Sequence, residues 1–137
     1  MARDLIHGGV RKALEKENWA IIADPYRIKF GEKFLEADMR ADKLIAATRR
    51  NRTIVIEVKS FLRTSFINEF TSACGQYNAY VILLRELGIQ DTVYMAVSHE
   101  VYEQEFHDKL VKLLADNIGL NLVVVDIEKE AIVQWID

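Results

Sequence analysis

The chain has 137 residues, half of them apolar, and a net charge of −3. This composition fits a single domain over residues 1–137 and excludes a fibre or a disordered tail. No apolar run approaches the roughly 20 residues of a bilayer-spanning helix, and no secretory signal is visible. The single cysteine, Cys74, excludes an internal disulfide and a cysteine-based zinc cluster. We therefore expect a cytoplasmic protein without membrane contact.

Hydrophobic periodicity predicts alternating helical and strand segments along the whole chain. In chain order these are a helix over 3–18, strands over 19–23, 34–39, 43–48 and 53–59, a helix over 66–87, a strand over 92–97, a helix from Ser98 to about residue 117, and strands over 121–126 and 131–136. Residues 26–33 are interpreted as a loop or short strand that turns at Gly31.

The three strands between residues 34 and 59 suggest an antiparallel meander, because short polar segments separate them. The turn before the third strand is predicted to consist of Arg49, Arg50, Asn51 and Arg52. Asparagine is suited to a positive φ in such a turn. The three arginines at this hairpin tip are either contacts to DNA phosphates or merely solubilise an exposed turn.

Positive charge is concentrated in one part of the sequence. Residues 27–63 hold ten Lys and Arg against five acids, whereas the rest of the chain has eight bases and sixteen acids. A basic segment on an acidic body can form a local phosphate-attracting face, although a solvated mixture of charges explains the pattern equally well.

The strand over 53–59 carries the most informative side chains. Alternation places Glu57 and Lys59 together on one face, where buried charges are costly without a function. Asp38, two strands earlier, could converge with Glu57 at the same sheet edge. Asp42 competes with Asp38 for this role, and Asp24 is more simply a turn residue before proline.

Two carboxylates and a strand carbonyl would form a hard oxygen site for Mg²⁺ or Mn²⁺. A neighbouring lysine could position or deprotonate a water molecule or offset the charge of a phosphate. The competing interpretation is a surface cross-strand ion pair between Glu57 and Lys59, worth about 0–1 kcal/mol.

The D-x18-E-x-K spacing on strands resembles the PD-(D/E)xK nuclease superfamily. The common core of that superfamily, α-β-β-β-α-β, matches the predicted order over residues 3–98. The resemblance implies a restriction-endonuclease-like α/β (α+β) fold. We expect a mixed β-sheet flanked by helices, with an extra C-terminal β-hairpin over 121–136.

The helix after the E-x-K strand adds Gln76 and Tyr80 at i, i+4 spacing, on one helix face. This pair is similar to a motif of the RecB-like nuclease branch, in which such residues help to order the site and the substrate strand. The alternative for Tyr80 is a core aromatic residue. Glu15 and His7 of the first helix are either accessory to the site or solvated.

The whole chain resembles the XisH family, the cyanobacterial fdxN-element excision controlling factors. The segments that carry the resemblance are MARDLIH, ADPYRIKF, RADKLIAA, IEVKSF, GQYNAY, VYMAVS and LVVVDIEKEAIVQWI. It implies a role in programmed excision of a DNA element, beside a site-specific recombinase and the small protein XisI. The matching site residues are Asp38, Glu57, Lys59 and, more loosely, Gln76.

Two positions depart from the expected family pattern. Gly8-Gly9 interrupt the first helix, and Thr48 replaces an acid, which would weaken a peripheral metal contact.

Two functions follow as hypotheses. The first is a Mg²⁺- or Mn²⁺-dependent DNA endonuclease in which Asp38 and Glu57 hold the metal ion. The second is a non-catalytic module that binds an XisI-like protein or DNA and regulates a site-specific recombinase. The small size of the chain suggests a partner or a homo-oligomer, and the C-terminal hairpin is a candidate contact.

Overall fold

The computed structural model describes residues 3–62 and 64–137, and side chains from Leu5 onward within these ranges. Met1, Ala2 and Arg63, which contributed to the sequence patterns above, lie outside the described residues. The elements are α1 (Arg3–Lys16), β1 (Ala20–Ala23), β2 (Tyr26–Phe30), β3 (Lys33–Ala37), β4 (Met39–Ile45), β5 (Arg50–Val58), α2 (Phe66–Glu86), β6 (Thr92–Ser98), α3 (His99–Glu105), α4 (Lys109–Ile118), β7 (Leu122–Asp126) and β8 (Ala131–Ile136).

The main sheet is mixed and has the strand order β1-β4-β5-β6-β7-β8. The central strands β5, β6 and β7 are parallel, and the outer pairs are antiparallel. Strands β2 and β3 form a separate hairpin. The predicted fold class is confirmed: a mixed sheet flanked by helices, with β7 and β8 as the C-terminal hairpin.

Alternation along β5 divides the core between the two faces of the sheet. Ile54 and Ile56 pack against α1 residues such as Leu14. Val55 lies on the other face, in a cluster that includes Phe70 of α2. Because β5 is covered on both faces, any charged side chain that it carries inward is removed from water. Within residues 3–62 and 64–137, no helix combines the length and the apolar character needed to cross a bilayer.

The predicted meander is wrong in one strand. Strand β4 begins at Met39 rather than at residue 43, and β3 pairs with β2 instead of with β4. The antiparallel set is therefore β1-β4-β5. The strand starts early because Met39 and Ala41 are buried, while the intervening Arg40 is neutralised by Asp91 at 2.7 Å.

The predicted turn at the β4–β5 tip is also displaced. The turn occupies residues 46–49, and the residue with positive φ is Arg49, at 56°, rather than Asn51. Arg50, Asn51 and Arg52 belong to β5.

The helix predicted from Ser98 to about residue 117 is divided into α3 and α4. Ser98 caps α3 as predicted, since its hydroxyl accepts a hydrogen bond from the Val101 N–H. Asp108 then caps α4 by accepting from the N–H groups of Leu110 and Val111, which starts a new helix. The predicted end at Gly119 is confirmed, at a φ of 61°.

Candidate functional site

The end of β5 brings two of the predicted site residues together. Glu57 is only 5% exposed, and its Oε2 lies 3.3 Å from the Nζ of Lys59. Asp38 occupies the single position between β3 and β4, and its Oδ2 accepts a 2.7 Å hydrogen bond from the Val58 N–H. The backbone N–H of Val58, in the E-x-K strand, therefore holds the carboxylate of Asp38, which the sequence predicted to lie two strands away.

The surroundings of Glu57 disfavour its negative charge. Burial raises the pKa of Glu57 to about 7, and the negative charge of Asp38 adds to the increase, against the opposing effect of Lys59. Near neutral pH this carboxyl group is therefore divided between its neutral and ionised forms.

Helix α2 adds Gln76 and Tyr80 to the same cluster. The Lys59 ammonium donates to Gln76 Oε1 at 2.5 Å, and Gln76 Nε2 donates to the Tyr80 hydroxyl at 3.0 Å. That hydroxyl lies 3.1 Å from Glu57 Oε1 and 2.8 Å from the Glu36 carbonyl oxygen, two acceptors for its one proton. Burial raises the pKa of Tyr80 well above its ordinary value, so the phenol stays neutral.

Helix α1 contributes His7 rather than Glu15. His7 Nδ1 lies 3.7 Å from Asp38 Oδ1, while Nε2 lies 3.1 Å from both carboxylate oxygens of Asp24. Although burial opposes ionisation of Asp24, hydrogen bonds from His7 and Arg11 hold its pKa below the ordinary value. Glu15 is half exposed, and its carboxylate lies 4.0 Å from Arg11. Asp24, interpreted from sequence as a turn residue, therefore supports Asp38 through His7.

Asp42 lies away from this cluster. Its carboxylate accepts from the Thr53 hydroxyl at 2.5 Å, and it pairs with Thr53 between β4 and β5. Asp42 is thus engaged near the middle of the hairpin and does not compete with Asp38.

The arginines and Thr48 lie at the far end of the same hairpin. Glu57 lies seven residue steps after Arg50, roughly 23 Å along β5. Thr48, in the turn, is therefore too distant to contact a metal ion at Glu57. Arg52 lies on the α1 face of the sheet, where it donates to the Tyr94 hydroxyl.

The donor set at Asp38 and Glu57 suits a hard cation with few protein ligands. Among the described residues, no group of three or more His, Cys, Asp or Glu side chains is arranged to hold a metal ion. Mg²⁺ commonly binds through one or two carboxylates and keeps several waters. Burial is the main cause of the raised pKa of Glu57, and Asp38 adds a repulsion that a cation held by both carboxylates would relieve.

A cleft of about 600 Å³ opens beside Lys59 and Gln76. It lies between the segment after β5 and the first half of α2. Its lining includes hydroxyl and amide side chains, namely those of Ser60, Thr64, Ser65, Asn68 and Ser72. Sequence reasoning missed this cleft, although the serine- and threonine-rich run after the E-x-K strand was the available signal. The cleft gives a polar substrate access to the lysine.

Comparison with known proteins gives one family. A family model described as XisH protein matches residues 1–133. The crystal structure of an XisH family protein from Nostoc punctiforme PCC 73102 is 35% identical, with a TM-score of 0.87. That of an fdxN element excision controlling factor protein from Anabaena variabilis is 34% identical, with a TM-score of 0.88. Both alignments cover 98% of this chain and 100% of the other. No curated protein matches the chain.

Proposed function

Since the chain belongs to the XisH family, we propose that it acts in DNA rearrangement as a divalent-metal-dependent DNA endonuclease. The observation that carries this proposal is the convergence of Asp38, Glu57 and Lys59 at the end of β5. The Anabaena variabilis relative is described as an excision controlling factor. We extend that role to this chain as part of the proposal.

In this proposal each residue of the cluster at the end of β5 has a separate role in phosphodiester hydrolysis. Asp38 and Glu57 would hold Mg²⁺ or Mn²⁺, and the bound ion would acidify a water molecule and offset phosphate charge. Lys59 is 25% exposed and lines the cleft, where its ammonium would orient an attacking water or offset the charge of a phosphate oxygen. Gln76 holds that ammonium in place, and Tyr80 fixes the carboxylate of Glu57.

The second candidate is a non-catalytic module that regulates a site-specific recombinase together with an XisI-like protein. One observation favours it: Glu57 already has Lys59 and Tyr80 as partners. A buried polar cluster with such internal partners is stable without chemistry. The cleft beside it would then be a remnant of lost catalysis.

Calorimetric titration with Mg²⁺ or Mn²⁺ at pH 8, followed by a DNA cleavage assay, separates the two candidates. At this pH Glu57 is mostly ionised, so the proton does not compete with the metal ion. We expect the parent to bind the ion and Glu57→Gln to lose binding. Lys59→Ala should still bind the ion but lose cleavage.

Glu15→Gln is the matched control, because it removes an acid from α1 that does not reach the cluster. It should bind metal and cleave DNA as the parent does. If the parent binds neither ion, even with DNA present, the endonuclease proposal is wrong and the regulatory module is favoured.

A further inference from the structure

The β2–β3 hairpin is anchored at its base and exposed at its tip. Near the base, Ile28 and Ala37 are buried in the core that includes α2. At the tip, which we call the finger (residues 29–34), Phe30 is 53% exposed and Phe34 is 49% exposed. Two large aromatic rings held in water at one hairpin tip indicate a surface that meets a partner.

The strand register pairs each phenylalanine with a lysine. Lys29 lies opposite Phe34, and Phe30 lies opposite Lys33. Because neighbouring strand residues point to opposite faces, each face of the finger presents one ring and one ammonium group. The Arg27 guanidinium lies 5.0 Å from the centre of the Phe34 ring and is paired with Glu36 at 3.0 Å, so the unpaired positive charge of the finger comes from its lysines.

The finger is also joined directly to the candidate site. The Glu36 carbonyl of β3 accepts a hydrogen bond from Tyr80, and Asp38 follows the last residue of the strand. Asp38 lies four residue steps after Phe34, about 13 Å in extended backbone. A DNA strand at the site would reach the finger within a few nucleotides.

We propose that the finger binds an unpaired DNA segment next to the cleavage site. Because Phe30 and Phe34 lie on opposite faces of the finger, the strand passes around the tip and stacks one base on each ring. Lys29 and Lys33 contact the neighbouring phosphates. Alternating aromatic and basic groups suit a single strand, because every base offers a ring face and every nucleotide a negative charge. In an intact duplex the base faces are covered, so the substrate would be DNA with a tail, flap or junction.

A protein partner explains the same surface less well. Lysine is depleted at the centre of protein–protein interfaces, whereas here one lysine lies beside each exposed ring. A second copy of the finger would also bring like charges together. The inference rests on the proposed function for DNA as the polymer and for the cleavage site beside the finger.

Fluorescence anisotropy in EDTA tests this inference without cleavage. The probes are a blunt duplex and the same duplex carrying a six-nucleotide tail. We expect the parent to bind the tailed DNA about a hundredfold more tightly. Phe30→Ala/Phe34→Ala should remove most of this preference, about tenfold per ring. Phe30→Trp/Phe34→Trp should retain it.

Leu110→Ala/Leu113→Ala is the matched control, because it removes two exposed apolar side chains from α4. It should bind both DNAs as the parent does. Equal affinity of the parent for the two DNAs, or an unchanged preference in Phe30→Ala/Phe34→Ala, would overturn the inference. A parent dimer that this variant converts to a monomer would also overturn it, in favour of a second copy.

Failure of the finger and failure of the proposed function give different results. If the parent prefers the tailed DNA but does not cleave it in Mn²⁺, the endonuclease proposal is wrong and the finger proposal stands.

Discussion

Glu57 makes the stability of the fold depend on pH. Its pKa is about 7 in the folded chain, compared with 4.5 for an ordinary glutamate. Between these values the unfolded chain has lost a proton that the folded chain retains, so stability falls as pH rises. The stabilising contribution of Glu57 is fully present below about pH 4.5 and is lost by about pH 7.

We therefore expect Glu57→Gln to stabilise the protein at pH 8, by up to about 3 kcal/mol for a shift of this size. Glutamine keeps an oxygen acceptor for Tyr80 and removes the buried charge, while the lost ion pair with Lys59 offsets part of the gain. Urea unfolding at pH 4.5, 6 and 8 measures the difference, which should shrink towards the lowest pH.

Glu15→Gln again serves as the reference, because the Glu15 side chain is half exposed. Its difference from the parent should not change over the same pH range. A parent that gains stability relative to Glu57→Gln as pH rises would show that the folded chain favours the ionised carboxylate.

Local pattern predicted part of the site and missed the rest. Strand alternation is sufficient to bring Glu57 and Lys59 together, and helical spacing is sufficient to align Gln76 with Tyr80. The contact of His7 with Asp24 and Asp38 depends on how α1 packs against the end of β1 and the start of β4. No periodicity within a single element contains that information.

At the scale of elements, the two glycines of α1 differ in how much space the structure leaves for a side chain. An added Cβ at Gly8 would meet no described atom within 4 Å. At Gly9 it would lie 2.9 Å from Cγ2 of Ile127, next to the main chain at the β7 end. The helix continues through both positions, so the glycines lower its stability but do not interrupt it. Of the two, Gly9 is the one that lets α1 pack closely against Ile127.

Gly8→Ala should accordingly stabilise the protein by about 0.5–1 kcal/mol, the helix-propensity difference between the two residues. Gly9→Ala gains the same propensity but must displace Ile127, so it should give no gain or a loss. Urea denaturation of the two variants compares them within one helix. Equal stabilisation by both would show that α1 is not held against Ile127.

Boundaries between elements were predicted less well than the elements themselves. The long helix α2 and strands β5 to β8 follow from uninterrupted apolar patterns. The break between α3 and α4 depends on one capping side chain, Asp108, inside a continuous helical pattern. Likewise, Arg40 interrupts the apolar pattern at the start of β4, and its partner Asp91 lies 51 residues later in the sequence. Such long-range pairs override local propensity.

Across the whole molecule, the fold separates the basic segment into distinct places. Arg40 is paired with Asp91, and Lys43 lies over the Trp19 ring. The exposed finger lies beside the site, whereas Arg49 and Arg50 lie at the β4–β5 tip, roughly 23 Å from Glu57. We propose that Arg49 and Arg50 contact DNA phosphates, and their distance from Glu57 sets the length of DNA that could reach them.

A DNA duplex rises 3.4 Å per base pair, so only DNA that extends about seven base pairs from the site can reach Arg49 and Arg50. Arg49→Gln/Arg50→Gln should reduce the salt dependence of binding by about two phosphate contacts on a 20-base-pair tailed duplex. A tailed duplex of four base pairs should show no change. Arg52→Gln should have a smaller effect, because Arg52 is held by Tyr94. An equal reduction on both DNAs would place the arginines beside the site, and no reduction on either would remove them from the DNA path.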